Sequence, residues 1–147
     1  MHLHLTYQLA APRDRVFAAM TDPAVLQRCI PGCEQMIQNG EDSYEAHLRI
    51  GFAGLSGMYR GRARLEDRRA PESYTLTVDG KGAPGFVRAV SKLQFSEQGE
   101  GTEVVCDADV QVGGVIAAVA SRLVDAAARK LADDFFRALS GELSSQP

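Results

Sequence analysis

Six separate stretches of this chain alternate apolar and polar side chains with a period of two, and the pattern then changes to one near 3.6. The first stretch sets Leu3, Leu5, Tyr7 and Leu9 against His2, His4, Thr6 and Gln8. The second sets Tyr44, Ala46, Leu48 and Ile50 against Glu45, His47 and Arg49. In the third, over 58–66, Tyr59, Gly61, Ala63 and Leu65 alternate with Arg60, Arg62 and Arg64. The fourth, 74–82, turns Tyr74, Leu76, Val78, Gly80 and Gly82 one way. Val87, Ala89, Ser91, Leu93 and Phe95 form the fifth. Val104, Cys106, Ala108, Val110 and Val112 form the sixth, with Asp107, Asp109 and Gln111 opposite. Strict alternation marks strands with one covered and one wet face. The separators are turn formers: Asn39-Gly40, Ala70-Pro71, Ala83-Pro84-Gly85 and Gly99-Glu100-Gly101. Links this short join antiparallel neighbours.

Helical spacing appears in three places. Pro12 suits the start of a helix carrying Val16, Phe17 and Met20. A second short helix fits 22–28, with Asp22 as N-cap and Pro23 in the first turn, and Pro31-Gly32 stops it. The spacing predicts one long helix over 115–141, roughly 40 Å at 1.5 Å per residue. Its apolar stripe is Ile116, Ala120, Leu123, Val124, Ala127, Leu131, Phe135 and Ala138. Arg122, Asp125, Arg129, Asp133 and Arg137 lie opposite, with Asp125–Arg129 and Asp133–Arg137 as favourable (i, i+4) pairs. The expected fold is α+β: a curved antiparallel sheet of six to seven strands around a long C-terminal helix, a helix-grip arrangement. Two short helices follow the first strand. One domain over 1–143 and a disordered tail over 144–147 are expected.

A chain of 147 residues fits one domain with a real core. Lys and Arg number 16 against 19 Asp and Glu, a net charge of −3, which excludes a basic nucleic-acid binder. No basic patch followed by an apolar run opens the chain, and no apolar stretch reaches the ~20 residues of a membrane span. Cys29, Cys33 and Cys106 do not make a disulfide framework. The expected setting is the reducing cytoplasm, with membrane contact at most peripheral, at the inner face.

Small residues crowd the predicted inner faces. A ring of such positions between sheet and helix either draws the helix close or leaves a hollow, and an apolar hollow is a ligand-site pattern. The candidate ligand contacts are Phe52, Tyr59, Gly61, Val78, Gly80, Gly82, Phe86, Ala89, Ser91, Ile116, Ala120, Leu123 and Ala127. Two glycine-rich loops, 51–57 and 82–86, form the expected rim and present Phe52, Leu55 and Phe86.

Catalysis needs an inward base or nucleophile. The alternation turns inward only Tyr7, Tyr44, Tyr59, Tyr74, Ser91 and Cys106, with no inward Asp, Glu, His or Lys. No catalytic residues are therefore assigned. Cys29 and Cys33 lack the further ligands a zinc site requires, so no metal site is expected. Arg60, Arg62 and Arg64 form a stripe on the outer face: a solvated surface, or a docking patch for an acidic partner protein.

Particular residues then become recognisable. Cys29-Ile30-Pro31-Gly32-Cys33-Glu34 follows an opening, Ala11-Pro12-Arg13-Asp14-Arg15-Val16-Phe17, that resembles START-like proteins. Gly80-Lys81-Gly82 and Val112-Gly113-Gly114 come later. Ser121-Arg122-Leu123-Val124-Asp125 and Lys130-Leu131-Ala132-Asp133-Asp134-Phe135-Phe136 complete the set. Together these resemble the CoxG family, the G subunits of carbon monoxide dehydrogenase, within the START/polyketide-cyclase-like (SRPBCC) superfamily, over nearly the whole chain. The resemblance implies the helix-grip, START/Bet v 1-like fold. It also implies a non-catalytic accessory protein that binds a hydrophobic small molecule, plausibly a quinone, beside a molybdenum hydroxylase of the CO dehydrogenase type. No tightly bound cofactor is expected beyond such a quinone or other apolar ligand. Some members carry a C-terminal extension that reaches the membrane, whereas this sequence stops at Pro147. The competing readings are a cyclase- or hydrolase-like enzyme of the same superfamily, and a ligand-free protein-interaction module.

Overall fold

The computed structural model describes residues 1–52 and 54–145. Seven strands form a single antiparallel sheet: β1 (His2–Leu9), β2 (Cys33–Gly40), β3 (Ser43–Ile50), β4 (Gly57–Arg69), β5 (Ser73–Gly82), β6 (Gly85–Gln98) and β7 (Gly101–Gly113). Their spatial order is β1-β7-β6-β5-β4-β3-β2. Strands β1 and β2, neighbours in sequence, therefore lie on opposite edges. Two short helices, α1 (Arg13–Ala19) and α2 (Pro23–Cys29), carry the chain from one edge to the other. A short 3-10 turn (Gly114–Ala118) then leads into α3 (Ser121–Ser144).

The six alternating stretches are all strands, and their register keeps the inner sets in step. Gly61 faces Ala46 on β3 and Gly80 on β5. Val78 faces Ala63 and Ala89. Ser91 faces Leu76 and Ala108, and Leu3 continues that row on β1. A one-residue slip would move each set to the wet face, so burial of one face fixes the pairing.

Strand β2 is the seventh, and no period-two signal announces it. Most of it is exposed, because it is an edge strand with one neighbour. Its entry depends on Gly32, which has φ +74°, and a Cβ there would collide with the Arg49 carbonyl oxygen. The Arg49 N–H donates to the Gly32 carbonyl at 2.8 Å. Pro31-Gly32 thus seats the α2–β2 corner directly on β3. As expected, Asp22 caps α2: its carboxylate accepts from the Ala24 N–H at 3.0 Å.

The expected single helix over 115–141 is two elements. Val119 and Ala120 adopt extended angles and separate the 3-10 turn from α3. Val115, Ile116 and Val119 are β-branched and poor in a helix. The Ile116 N–H is held instead by the Pro84 carbonyl at 2.9 Å, and Ile116 is fully buried. At the far end α3 runs through Ser144, one residue into the expected tail, while 146–147 lie outside the described residues. Arg129 pairs with Asp125 at 2.8 Å as expected. Arg137 pairs with Asp134 at 3.3 Å rather than with Asp133, which accepts from the Tyr7 hydroxyl at 2.7 Å.

Large side chains gather at the two ends of the space between sheet and α3. One end holds Val16, Phe17, Phe95, Val104, Phe136, Leu139 and Leu143. The other end holds Leu55, Ile116, Val124 and Ala127, with Ile50, Phe52, Val87, Val112 and Val119 against them.

Candidate functional site

Between these two cores the middle is hollow. A cavity of about 410 Å³ lies against the inner face of the sheet, with α3 across it. The reason is side-chain size. Ala46, Gly61, Ala63 and Ala108 line the sheet side, and Ala128 and Ala132 line the helix side. Small residues here face small residues, while aromatics and leucines prop the ends. Met20, Leu26, Ile30, Pro31 and Met36 complete the wall from α1, α2 and β2. Leu48, Leu76, Val78, Leu131 and Phe135 face this space and are only half-buried. A filled core would have buried them. The volume falls in the range of about 300–1,000 Å³ typical of small-molecule sites.

The wall is almost entirely apolar. Among the described residues it contains no Asp, Glu, His or Lys, and the side chain of its Arg62 is 78% exposed. Its polar side-chain groups otherwise are Tyr44, Tyr74, Ser91 and Cys106. Tyr44 is occupied: its hydroxyl donates to the Thr21 carbonyl at 2.7 Å. The Tyr74 ring packs edge-on to Phe17, at 5.5 Å between centroids, and beside Phe95 at 5.6 Å. Tyr74 is only 3% exposed, and its hydroxyl has no hydrogen-bond partner among the described residues. The hydroxyl is not sealed off: among the described residues the only fully buried side-chain polar atom without a partner is the Arg13 Nε, so the Tyr74 hydroxyl keeps access to the hollow. Burial raises the Tyr74 hydroxyl well above 10.0 and pushes the Cys106 thiol up to about 11. Cys106 is therefore a neutral thiol at physiological pH and a weak nucleophile.

Of the thirteen expected ligand contacts, Gly61, Val78 and Ser91 line the cavity. Gly80, Gly82 and Ala89 are on the inner face but outside that lining. A Cβ on Gly82 would collide with the Met58 carbonyl, so its missing side chain serves close strand contact. Ile116, Ala127 and Phe52 belong to the second core and close one end of the space. Tyr59 is buried there too, and its hydroxyl donates to the Leu55 carbonyl at 2.7 Å. Loop 51–57 is thus tucked under rather than presenting Phe52 and Leu55 outward; Ala53 lies outside the described residues. Phe86 starts the outward set of β6, covering Gly113, and the Arg88 guanidinium stands 5.2 Å from its ring centroid. Ala120 is the exposed N-cap of α3, and Leu123 is 54% exposed. The helix restarts at Ser121 and keeps Val124, Ala127, Leu131 and Phe135 of the expected stripe inward, with Ala128 beside them, while Ala120 and Leu123 fall outside it.

Leu26, Ile30, Pro31 and Met36 were missed as wall residues. Their short segments carry no periodicity that points across the molecule; only the edge-to-edge path of α1 and α2 brings them there.

The outer face holds the charges. His47 and Arg60 face each other across β3 and β4, and Arg60 also faces Lys81. Arg62 pairs with Glu45 at 3.4 Å, whereas Arg60 and Arg64 have no acidic partner among the described residues. Asp79 pairs with Arg88 at 3.1 Å. His2 bridges Asp107 and Asp109, and its hydrogen bond to Asp109 raises the imidazole above 6.5. Cys29, Cys33 and Cys106 are free thiols. Among the described residues no group of three or more His, Cys, Asp and Glu could hold a metal ion. No described helix is long and apolar enough to cross a membrane.

A curved seven-stranded sheet gripping a C-terminal helix over an apolar hollow defines a START-like, helix-grip domain. A START superfamily protein from Mycobacterium smegmatis shares this fold, with TM-score 0.75 and 15% identity over 97% of each chain. The chain belongs to the CoxG family, the G subunits of carbon monoxide dehydrogenase, whose model matches residues 6–144. A conserved protein from Geobacillus kaustophilus is 32% identical, with TM-score 0.94 over 98% of this chain and 95% of that one. A Thermus thermophilus protein matches at 14% identity and TM-score 0.75, over 99% of this chain and 100% of the other. No curated protein matches the sequence.

Proposed function

We propose that this chain is a non-catalytic accessory protein that holds an apolar small molecule, a quinone, in its central cavity and serves a molybdenum-dependent dehydrogenase of the CO dehydrogenase type. The observation that carries this reading is the hollow itself: about 410 Å³ walled by aliphatic and aromatic groups, with no acid or imidazole in reach. Such a wall favours an uncharged guest and offers no general base. Family membership supports the accessory role. His47, Asp79 or Asp107 inside the cavity would favour the cyclase- or hydrolase-like alternative; all three stand on the outer face, which supports the accessory reading. Cytoplasmic residence, with at most peripheral contact at the membrane's inner face, goes with this role.

Native mass spectrometry with solvent extraction tests the reading. Purified protein is expected to carry an apolar organic molecule or to take up menaquinone added in mild detergent. A protein that comes out empty and refuses menaquinone overturns it.

The arginine stripe supplies the partner-facing surface. Arg60 opposite Lys81 sets like charges across adjacent strands, which is unfavourable without a counter-charge. Replacing Arg60, Arg62 and Arg64 together by Glu should abolish co-purification of the tagged protein with a molybdenum enzyme from its own cells, with the melting temperature nearly unchanged. Undiminished co-purification would reduce the stripe to a solvated face.

A further inference from the structure

We propose that Tyr74 is the polar anchor of the cavity: its hydroxyl donates a hydrogen bond to a carbonyl oxygen at the leading end of the bound molecule, and Ser91 stands beside it as a second donor. This inference rests on the reading of the hollow as a binding site and names the group its guest must present. The four tyrosines of the inner face divide cleanly. Tyr7 donates to Asp133, Tyr44 to the Thr21 carbonyl and Tyr59 to the Leu55 carbonyl. Tyr74 alone lacks a partner among the described residues, although it is 3% exposed and lines the cavity.

Its surroundings favour a fixed donor. Phe17 and Phe95 clamp the ring. Tyr74 pairs with Leu93, and Ser91 lies two residues along β6 on the same face. Diagonal neighbours of that kind stand about 7–8 Å apart, and both residues line the same hollow. The phenol is protonated near neutral pH, and burial raises its pKa further above 10.0, so it has a proton to donate. Apart from the occupied Tyr44 hydroxyl, the neutral Cys106 thiol and Arg62, whose side chain is largely exposed, the rest of the wall is apolar. A guest with a carbonyl at one end and an apolar body satisfies every group present; a fully apolar guest leaves the Tyr74 hydroxyl unpaired, and a carboxylate meets no counter-charge within the hollow.

Two probes of matched shape test this by calorimetry: 2-acetylnaphthalene, a ketone, and 2-ethylnaphthalene, its hydrocarbon counterpart. Tyr74→Phe is expected to weaken ketone binding about 3- to 10-fold and leave hydrocarbon binding unchanged. Ser91→Ala should show a smaller loss, again confined to the ketone. Ligand-free Tyr74→Phe should melt no lower than the parent protein, because the hydroxyl it removes has no structural partner. Equal affinities of the parent and Tyr74→Phe for the ketone, equal losses for both probes, or a lowered melting temperature each overturn the anchor while the cavity reading stands. If neither probe binds the parent protein, the cavity reading falls and the anchor falls with it.

Discussion

Gly61→Leu is expected to abolish binding in the cavity while leaving the protein folded and more resistant to heat. Gly61 sits mid-strand on β4, flanked on the inner face by Ala46 and Gly80. A Cβ there would meet only the Asp79 carbonyl oxygen, at 3.8 Å, an ordinary contact. The new side chain therefore enters the hollow without displacing the backbone. Glycine in a strand interior costs about 0.5–1 kcal/mol relative to alanine, and each buried methylene adds roughly 0.8 kcal/mol in its favour. A gain of about 1–2 kcal/mol in stability should raise the melting temperature by several degrees. The same carbons occupy the guest's space, where a single methylene shifts affinity about 10- to 200-fold. Loss of menaquinone or naphthyl-ketone uptake, together with a higher melting temperature, is the expected pair of results. Retained uptake would place the guest elsewhere.

Ile116→Ala acts in the opposite sense. Ile116 is fully buried within the second core, against Leu55, Val124 and Ala127. Truncating such a side chain costs about 2–5 kcal/mol through lost burial and the void left behind. The melting temperature should fall by about 5–15 °C, read by circular dichroism. Ile116 does not line the hollow, so affinity for a cavity probe well below the melting range should change less than threefold. A large affinity loss with little destabilisation would make Ile116 a ligand contact after all and contradict its place in the end plug.

Together these substitutions separate what small residues and large residues do in one space. The large ones at either end hold the sheet and α3 apart, and the small ones between them leave the gap unfilled. Stability is concentrated at the ends and capacity in the middle. A filled helix-grip core would gain stability and lose its guest, which is the trade expected at a binding site.

Much of this architecture is legible in the sequence. Alternation located six of seven strands, because a half-wet sheet imposes its period on the sequence whatever lies across from it. Asp22-Pro23 and Pro31-Gly32 marked a helix start and a stop, since caps and breakers act within a few residues. Gly61, Val78 and Ser91 could be chosen as cavity wall because they are inward and small or polar. Phe86 turns outward by the same alternation that turns Val87 and Ala89 inward. Leu123 could not be rejected that way: the extended Val119 and Ala120 break the helix after Ile116, which the Pro84 carbonyl holds, and α3 begins afresh at Ser121.

The sequence by itself therefore determined the sheet, its inner and outer faces, the gripping helix and the shortage of inward acids and bases. Those properties follow from local periodicity and side-chain chemistry. Only the tertiary structure decided which inward residues enclose empty space and which fill the two ends, and which tyrosine is left without a partner. Those outcomes depend on what stands across the gap, where residues far apart in the chain meet. Tyr44 finds the Thr21 carbonyl there, Tyr59 finds the Leu55 carbonyl, and Tyr74 meets the hollow.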